Sequence, residues 1–169
     1  SNAKHSKRIA TAISNDGDAK QFEKDKIFFQ NIESDIKNKL RIRYHAYGWQ
    51  AKIAYGDVIS NFHESKKTYY QDHSRARIIT STTCSTTILE SLAYNIPTVS
   101  FFDRDADRLN THASKYFDML ADVGILHYDP LSAANFINSI WDDVETWWYS
   151  EDVKKVKSSF VKEFANISK

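Results

Sequence analysis

The sequence predicts an α/β domain: a doubly wound parallel sheet with helices on both faces and two closing C-terminal helices. Three observations carry this expectation. Short apolar or alternating segments and longer segments of helical period follow one another about five times, the rhythm of parallel strands joined by crossover helices. The 169 residues, 41% hydrophobic and 14% aromatic, can build one sizeable core but are few for two. Only 4 glycines and 2 prolines punctuate the chain, so its connections are short and polar.

The elements follow in order. Arg8–Ser14 ("RIATAIS") predicts the first strand, closed by an Asn-Asp-Gly-Asp turn. Gln21–Leu40 predicts a helix with Phe22, Phe29, Ile32, Ile36 and Leu40 on one face. Arg41–Ala46 ("RIRYHA") alternates as a second strand, and a further strand is expected near Ala54–Ser60. Glu64–Arg75 predicts a polar helix and Arg77–Thr80 a strand. Thr86–Asn95 is the next helix, and Thr98–Phe102 the strand that starts after Pro97. Ala106–Val123 predicts a helix stopped by Gly124, followed by a strand at Ile125–Tyr128. Asp129-Pro130-Leu131-Ser132 opens a long helix through Trp148, its stripe made by Phe136, Ile137, Ile140, Trp141, Val144 and Trp148. Asp152–Ala165 closes the chain as a helix carrying Val153, Val156, Phe160 and Phe164. The architecture that results is Rossmann-like.

Composition excludes several classes. With 23 basic and 22 acidic side chains the formal charge is +1, which gives no argument for nucleic acid as partner. Single Cys84 cannot form an internal disulfide and suits a reducing, cytoplasmic compartment. No apolar run approaches the roughly 20 residues of a membrane span. Ser1-Asn2-Ala3 reads as the remnant of a cleaved tag, so a single domain over 4–169, cut from a longer chain, is expected.

The chemistry concentrates where a strand hands over to a helix, in "TSTTCSTT" at Thr80–Thr87. In doubly wound sheets ligands bind beyond the carboxyl ends of strands, and a helix N-terminus offers unpaired N–H groups and partial positive charge to phosphate. Ser81, Thr82, Thr83, Ser85, Thr86 and Thr87 are therefore candidates to line a phosphate pocket, with Thr83, Ser85, Thr86 and Thr87 as the phosphate ligands; the alternative is that Ser85 or Thr83 only caps the helix. No G-x-G-x-x-G or P-loop pattern accompanies them. Glu90 stacks one turn above Thr86 and Thr87, placed to accept hydrogen bonds from a ribose diol or else to sit as an ordinary exposed helix glutamate.

The stretch "TSTTCSTTILESLAYNIPTVSFF" is similar to the donor-binding segment of GT-B fold glycosyltransferases, in which a strand, a Ser/Thr/Gly loop, a helix with an LE-x-(L/M)-A core and a Pro turn precede the next strand. The resemblance implies that Glu90 holds the ribose of a nucleotide-sugar and that Ser85, Thr86 and Thr87 hold phosphate. Retaining members often carry a second glutamate eight residues earlier; here that position is Thr82, so retention or inversion stays open. "YGW" at Tyr47–Trp49, "YFDMLADVGILHYDPLSAANFINSIWDDVETWW" and "FVKEFA" resemble the C-terminal part of a family of sugar transferases from bacterial surface-polysaccharide loci. That resemblance implies a nucleotide-sugar donor, an N-terminal domain preceding this one, a polysaccharide or glycoconjugate acceptor at the inner face of the membrane, and neither metal nor cofactor. An epimerase of the same fold, or a non-catalytic module of a polysaccharide assembly complex, are the alternatives.

Other residues admit a structural role beside a functional one. Arg43 and His45 alternate onto one side of their strand, where a basic pair would neutralise a nucleotide phosphate; the family resemblance strengthens both. Asp103 and Arg104 follow a strand at the same edge and are candidate donor-sugar or acceptor contacts, with Asp103 equally suited to capping a helix. Trp141 and Trp148 have core spacing, while Trp147 is expected to be exposed. Cys84 reads as a small buried thiol, and no catalytic residue is identified.

Overall fold

The computed structural model describes residues 9–13, 19–44, 63–64, 71, 73–104 and 111–165. Strands β1 (Ile9–Ile13), β2 (Leu40–Tyr44), β3 (His63–Glu64) and β4 (Ile78–Ser81) form a sheet in the order β3-β2-β1-β4, with every pairing parallel. Strands β5 (Ser100–Phe101) and β6 (Leu126–His127) pair in parallel as a second sheet. Ile79 joins the two: its N–H donates to the Pro97 carbonyl at 2.8 Å and its carbonyl accepts from Val99 N–H at 3.0 Å. The order across both sheets is therefore β3-β2-β1-β4-β5-β6. The domain is mixed α/β with parallel strands.

Helices are α1 (Ala19–Asn31), α2 (Ser34–Lys37), α3 (Thr86–Ala93), α4 (Thr111–Asp122), α5 (Pro130–Ile140), α6 (Val144–Trp148) and α7 (Glu151–Phe164). Successive residues of the β5 segment feed different apolar clusters, as strand alternation requires. Val99 and Phe101 pack with Phe28, Ile32 and Ile36 from the α1–α2 segment and with Ala133 and Ile137 from α5. Phe102 packs instead with Leu92 of α3, Phe117 and Leu120 of α4, and Val153 and Phe160 of α7.

Two predicted helices are broken, and each break has a local cause. The helix expected over Gln21–Leu40 stops at Asn31, and Leu40 already belongs to β2. The Asn138 amide of α5 bridges the gap: its Nδ2 donates to the Asn31 carbonyl at 2.9 Å and its Oδ1 accepts from Glu33 N–H at 3.1 Å. The orphaned backbone groups of a helix end are thus satisfied from outside the helix. The helix expected through Trp148 ends at Ile140 and passes through a 3₁₀ turn at Trp141–Asp143 before α6. Asp143 leaves helical geometry (φ −139°, ψ 62°), and its carboxylate accepts from Thr146 N–H at 3.2 Å. An aspartate inside a helical pattern competes in this way for the backbone and starts a new helix.

Glu64, expected to begin a helix, lies in β3, while Gln71 and His73 are helical. The strand expected near Ala54–Ser60 lies outside the described residues. Gly124 ends α4 in the left-handed region (φ +77°), with the Phe136 ring where a Cβ would go. Trp141 and Trp148 are buried as expected. Trp147 is not the exposed residue the spacing suggested: it is half-buried, packs on both clusters, and donates Nε1–H to the Val123 carbonyl at 2.8 Å.

Candidate functional site

The register of β1 with its two neighbours fixes one edge of the sheet. Ala12 pairs with Arg43 on β2 and with Ser81 on β4, so these three residues are level at the carboxyl ends of adjacent strands. Two strand spacings put the Arg43 and Ser81 backbones about 10 Å apart. The turn Thr82–Ser85 leaves from that level and enters α3. His45 lies outside the described residues.

The turn is shaped by its own hydroxyls. Ser81 is buried, and its Oγ–H donates to the Thr83 carbonyl at 2.9 Å while lying 3.0 Å from Ser85 Oγ. Ser85 is the N-cap residue of α3 in extended geometry (φ −132°, ψ 165°), yet its side chain makes no capping bond to the helix. Its hydroxyl is engaged with Ser81 instead. The expectation that Ser85 serves merely as a cap is therefore not what the geometry shows. The Ser85 hydroxyl does not cap the N-terminal amides of α3, and no acidic side chain lies in its first turn. Thr86 is exposed, Thr83, Ser85, Thr87 and Glu90 are half-buried, and Thr82 is fully buried.

Glu90 lies one turn into α3, while Ile88, Ser91 and Leu92 form the helix's buried face. At the same edge, the residues after β5 have partners within the domain. Asp103 Oδ2 is paired with Lys24 Nζ of α1 at 2.7 Å. Arg104 Nη2 lies 2.7 Å from Asp118 Oδ2, and its guanidinium stands 5.4 Å from the Tyr128 ring centroid. The Tyr128 hydroxyl donates to Asp118 Oδ1 at 2.9 Å; burial, with Asp118 beside it, pushes that phenol up to about 12. Arg104 is held in place by this network. Cys84 is half-buried against the cluster of α3, α4 and α7.

Sequence reasoning missed a second polar constellation at the other end of α3. Asn95 adopts φ +56°, and its carbonyl and Oδ1 accept from Trp148 Nε1 at 3.2 and 3.1 Å. Lys157 Nζ donates to the same Oδ1 at 2.7 Å and lies 3.8 Å from the Trp148 ring centroid. Desolvation, then the nearby charge of Lys154, pulls the Lys157 ammonium down to about 8. The signal was present in the spacing: Lys157 falls four residues after Val153 and three before Phe160, on the buried stripe of α7.

Among the described residues no helix is long and apolar enough to cross a membrane. The family model described as LIC12162 family transferase matches residues 1–169. No curated protein matches the chain.

Proposed function

The chain belongs to the LIC12162 family of transferases, and we propose that it is the Rossmann-like, nucleotide-sugar-binding domain of a GT-B glycosyltransferase. The observation that carries this reading is the junction of β4 with α3. A helix N-terminus that the Ser85 side chain does not cap follows Ser81 at the carboxyl edge of a parallel sheet, where Ser81 is level with Arg43 and small hydroxyls crowd the turn. Amides and partial positive charge at such an end suit phosphate. The strand order β3-β2-β1-β4-β5-β6 supports the doubly wound fold, which binds nucleotides at this edge.

In the proposed transfer, Glu90 accepts hydrogen bonds from the ribose hydroxyls, and Ser85, Thr86 and Thr87 surround the diphosphate. As the glycosidic bond to phosphate breaks, negative charge grows on the leaving nucleotide. The α3 dipole, Arg43 and His45 stabilise that charge where it develops, lowering the barrier. The acceptor is a surface polysaccharide or glycoconjugate at the inner face of the membrane. The base that activates it comes from an N-terminal domain of the longer protein, and no metal or cofactor takes part. Asp103 and Arg104, with their partners in the domain, are left as contacts at the rim.

Amide NMR of the chain titrated with UDP, CMP and GDP tests the site directly. Shifts confined to the Ser85–Ile88 amides and Glu90 are expected from one nucleotide, and perturbation elsewhere only would discard the assignment. Incubating the longer protein with nucleotide-sugar in the absence of acceptor separates transfer from epimerisation, which needs no acceptor.

A further inference from the structure

Helix α7 buries one lysine that the proposed transfer does not use. Lys157, 7% exposed, lines a cavity of about 440 Å³ where α7 meets the end of α3. Its Nζ lies 2.7 Å from Asn95 Oδ1, 3.3 Å from the Trp148 carbonyl oxygen and 3.8 Å from the centroid of the Trp148 ring. An ammonium carries three N–H donors, whereas a neutral amine carries two and a lone pair. The two oxygens match the two N–H groups of the amine, and its lone pair is left for reaction. Burial, then the charge of Lys154, pulls the ammonium down to about 8, so the amine is well populated in mildly alkaline solution. A lysine that is desolvated and set beside another cation is an activated nucleophile.

The surroundings select the electrophile. So little of Lys157 is exposed that a bulky acyl or aldehyde carrier is kept from it. Carbon dioxide is small and apolar, suited to a wall that includes Leu92 and Val161. Among the described residues, the charged side chains of the lining are Lys154 and Lys157. Their repulsion turns into attraction when the amine becomes an anion. Ser158, also in the lining, offers a hydroxyl donor to such an anion.

We propose that Lys157 is a carbon dioxide acceptor, held as a carbamate facing Lys154. The amine lone pair forms the new N–C bond, one C=O π pair moves onto oxygen, and one N–H proton passes to water. The remaining N–H keeps its bond to Asn95 Oδ1. The inference stands apart from the nucleotide site and does not depend on it.

The folded chain is incubated at pH 8.5 with carbon-13 bicarbonate, read by carbon NMR, then trapped with triethyloxonium ion for peptide mass mapping. A carbamate resonance is expected that Lys157→Met removes and Lys162→Gln, at an exposed position of α7, retains. Trapped product on Lys157 should exceed that on Lys154 or Lys155 at least tenfold, and Lys154→Gln should lower the Lys157 occupancy at least threefold. Where Lys157→Met does not fold, the mapping on wild type locates the carbamate. The proposal is overturned by the absence of both a trapped Lys157 and a resonance that depends on it. Product spread evenly over the three lysines, or Lys157 occupancy in Lys154→Gln equal to wild type, would overturn it too.

Discussion

Replacing Lys157 by methionine changes how stability depends on pH. Lys157 is 7% exposed, and its ammonium is pulled down to about 8 by desolvation and by Lys154, against an ordinary value of 10.5. Between those two values the unfolded chain still holds a proton that the folded chain has released. Stability therefore rises with pH across that window, since it rises wherever the unfolded state binds more protons. The difference between 10.5 and about 8 corresponds to roughly 3–4 kcal/mol. Solvent that still reaches the amine reduces this to roughly 1–3 kcal/mol. Lys157→Met keeps the bulk but removes the titration, along with the donations to Asn95 and the Trp148 carbonyl. In urea denaturation the variant's deficit relative to wild type should grow by about 1–3 kcal/mol from pH 7.5 to pH 10.5. Titrations common to both proteins, such as that of Tyr128, cancel. A deficit that stays flat, or shrinks as pH rises, would refute the reasoning.

Other perturbations follow from the same contacts. Gly124→Ala puts a Cβ 2.5 Å from the Phe136 ring at φ +77°, so a loss of about 2–3 kcal/mol is expected in denaturant titration. Combining it with Phe136→Leu recovers the steric part and not the backbone part. Asp129→Ala removes the acceptor of the Ser132 N–H bond at 2.7 Å that caps α5, costing about 1 kcal/mol by the same assay. Tyr128→Phe removes the hydroxyl donated to Asp118; a spectrophotometric titration of the folded protein should lose the component ionising near 12.

Much of the fold was legible because apolar period survives packing. Ile9–Ile13, Ile78–Ser81 and Glu151–Phe164 fall within a residue of their predicted bounds. What escaped depends on partners distant in sequence. Asn138 ends α1 from 107 residues away, and no local pattern in Gln21–Leu40 announces it. Asp143 breaks a helix whose hydrophobic stripe runs on through Trp148, because the stripe reports burial and not continuity. The hydroxyl turn was found by composition, but its arrangement depends on the Ser81–Ser85 contact, which spacing does not encode. Trp147 is drawn in from the exposed position its spacing predicts because its indole N–H finds the Val123 carbonyl across the turn after α4.

Isothermal titration of UDP, CMP and GDP into the chain, wild type and Glu90→Ala, tests the central claim most directly. One nucleotide should bind the wild type, and the alanine should weaken it by about 1–3 kcal/mol, a loss of roughly fivefold to 150-fold. Heat from none of the three, or equal affinity in both proteins, would contradict a nucleotide held between the start of α3 and Glu90.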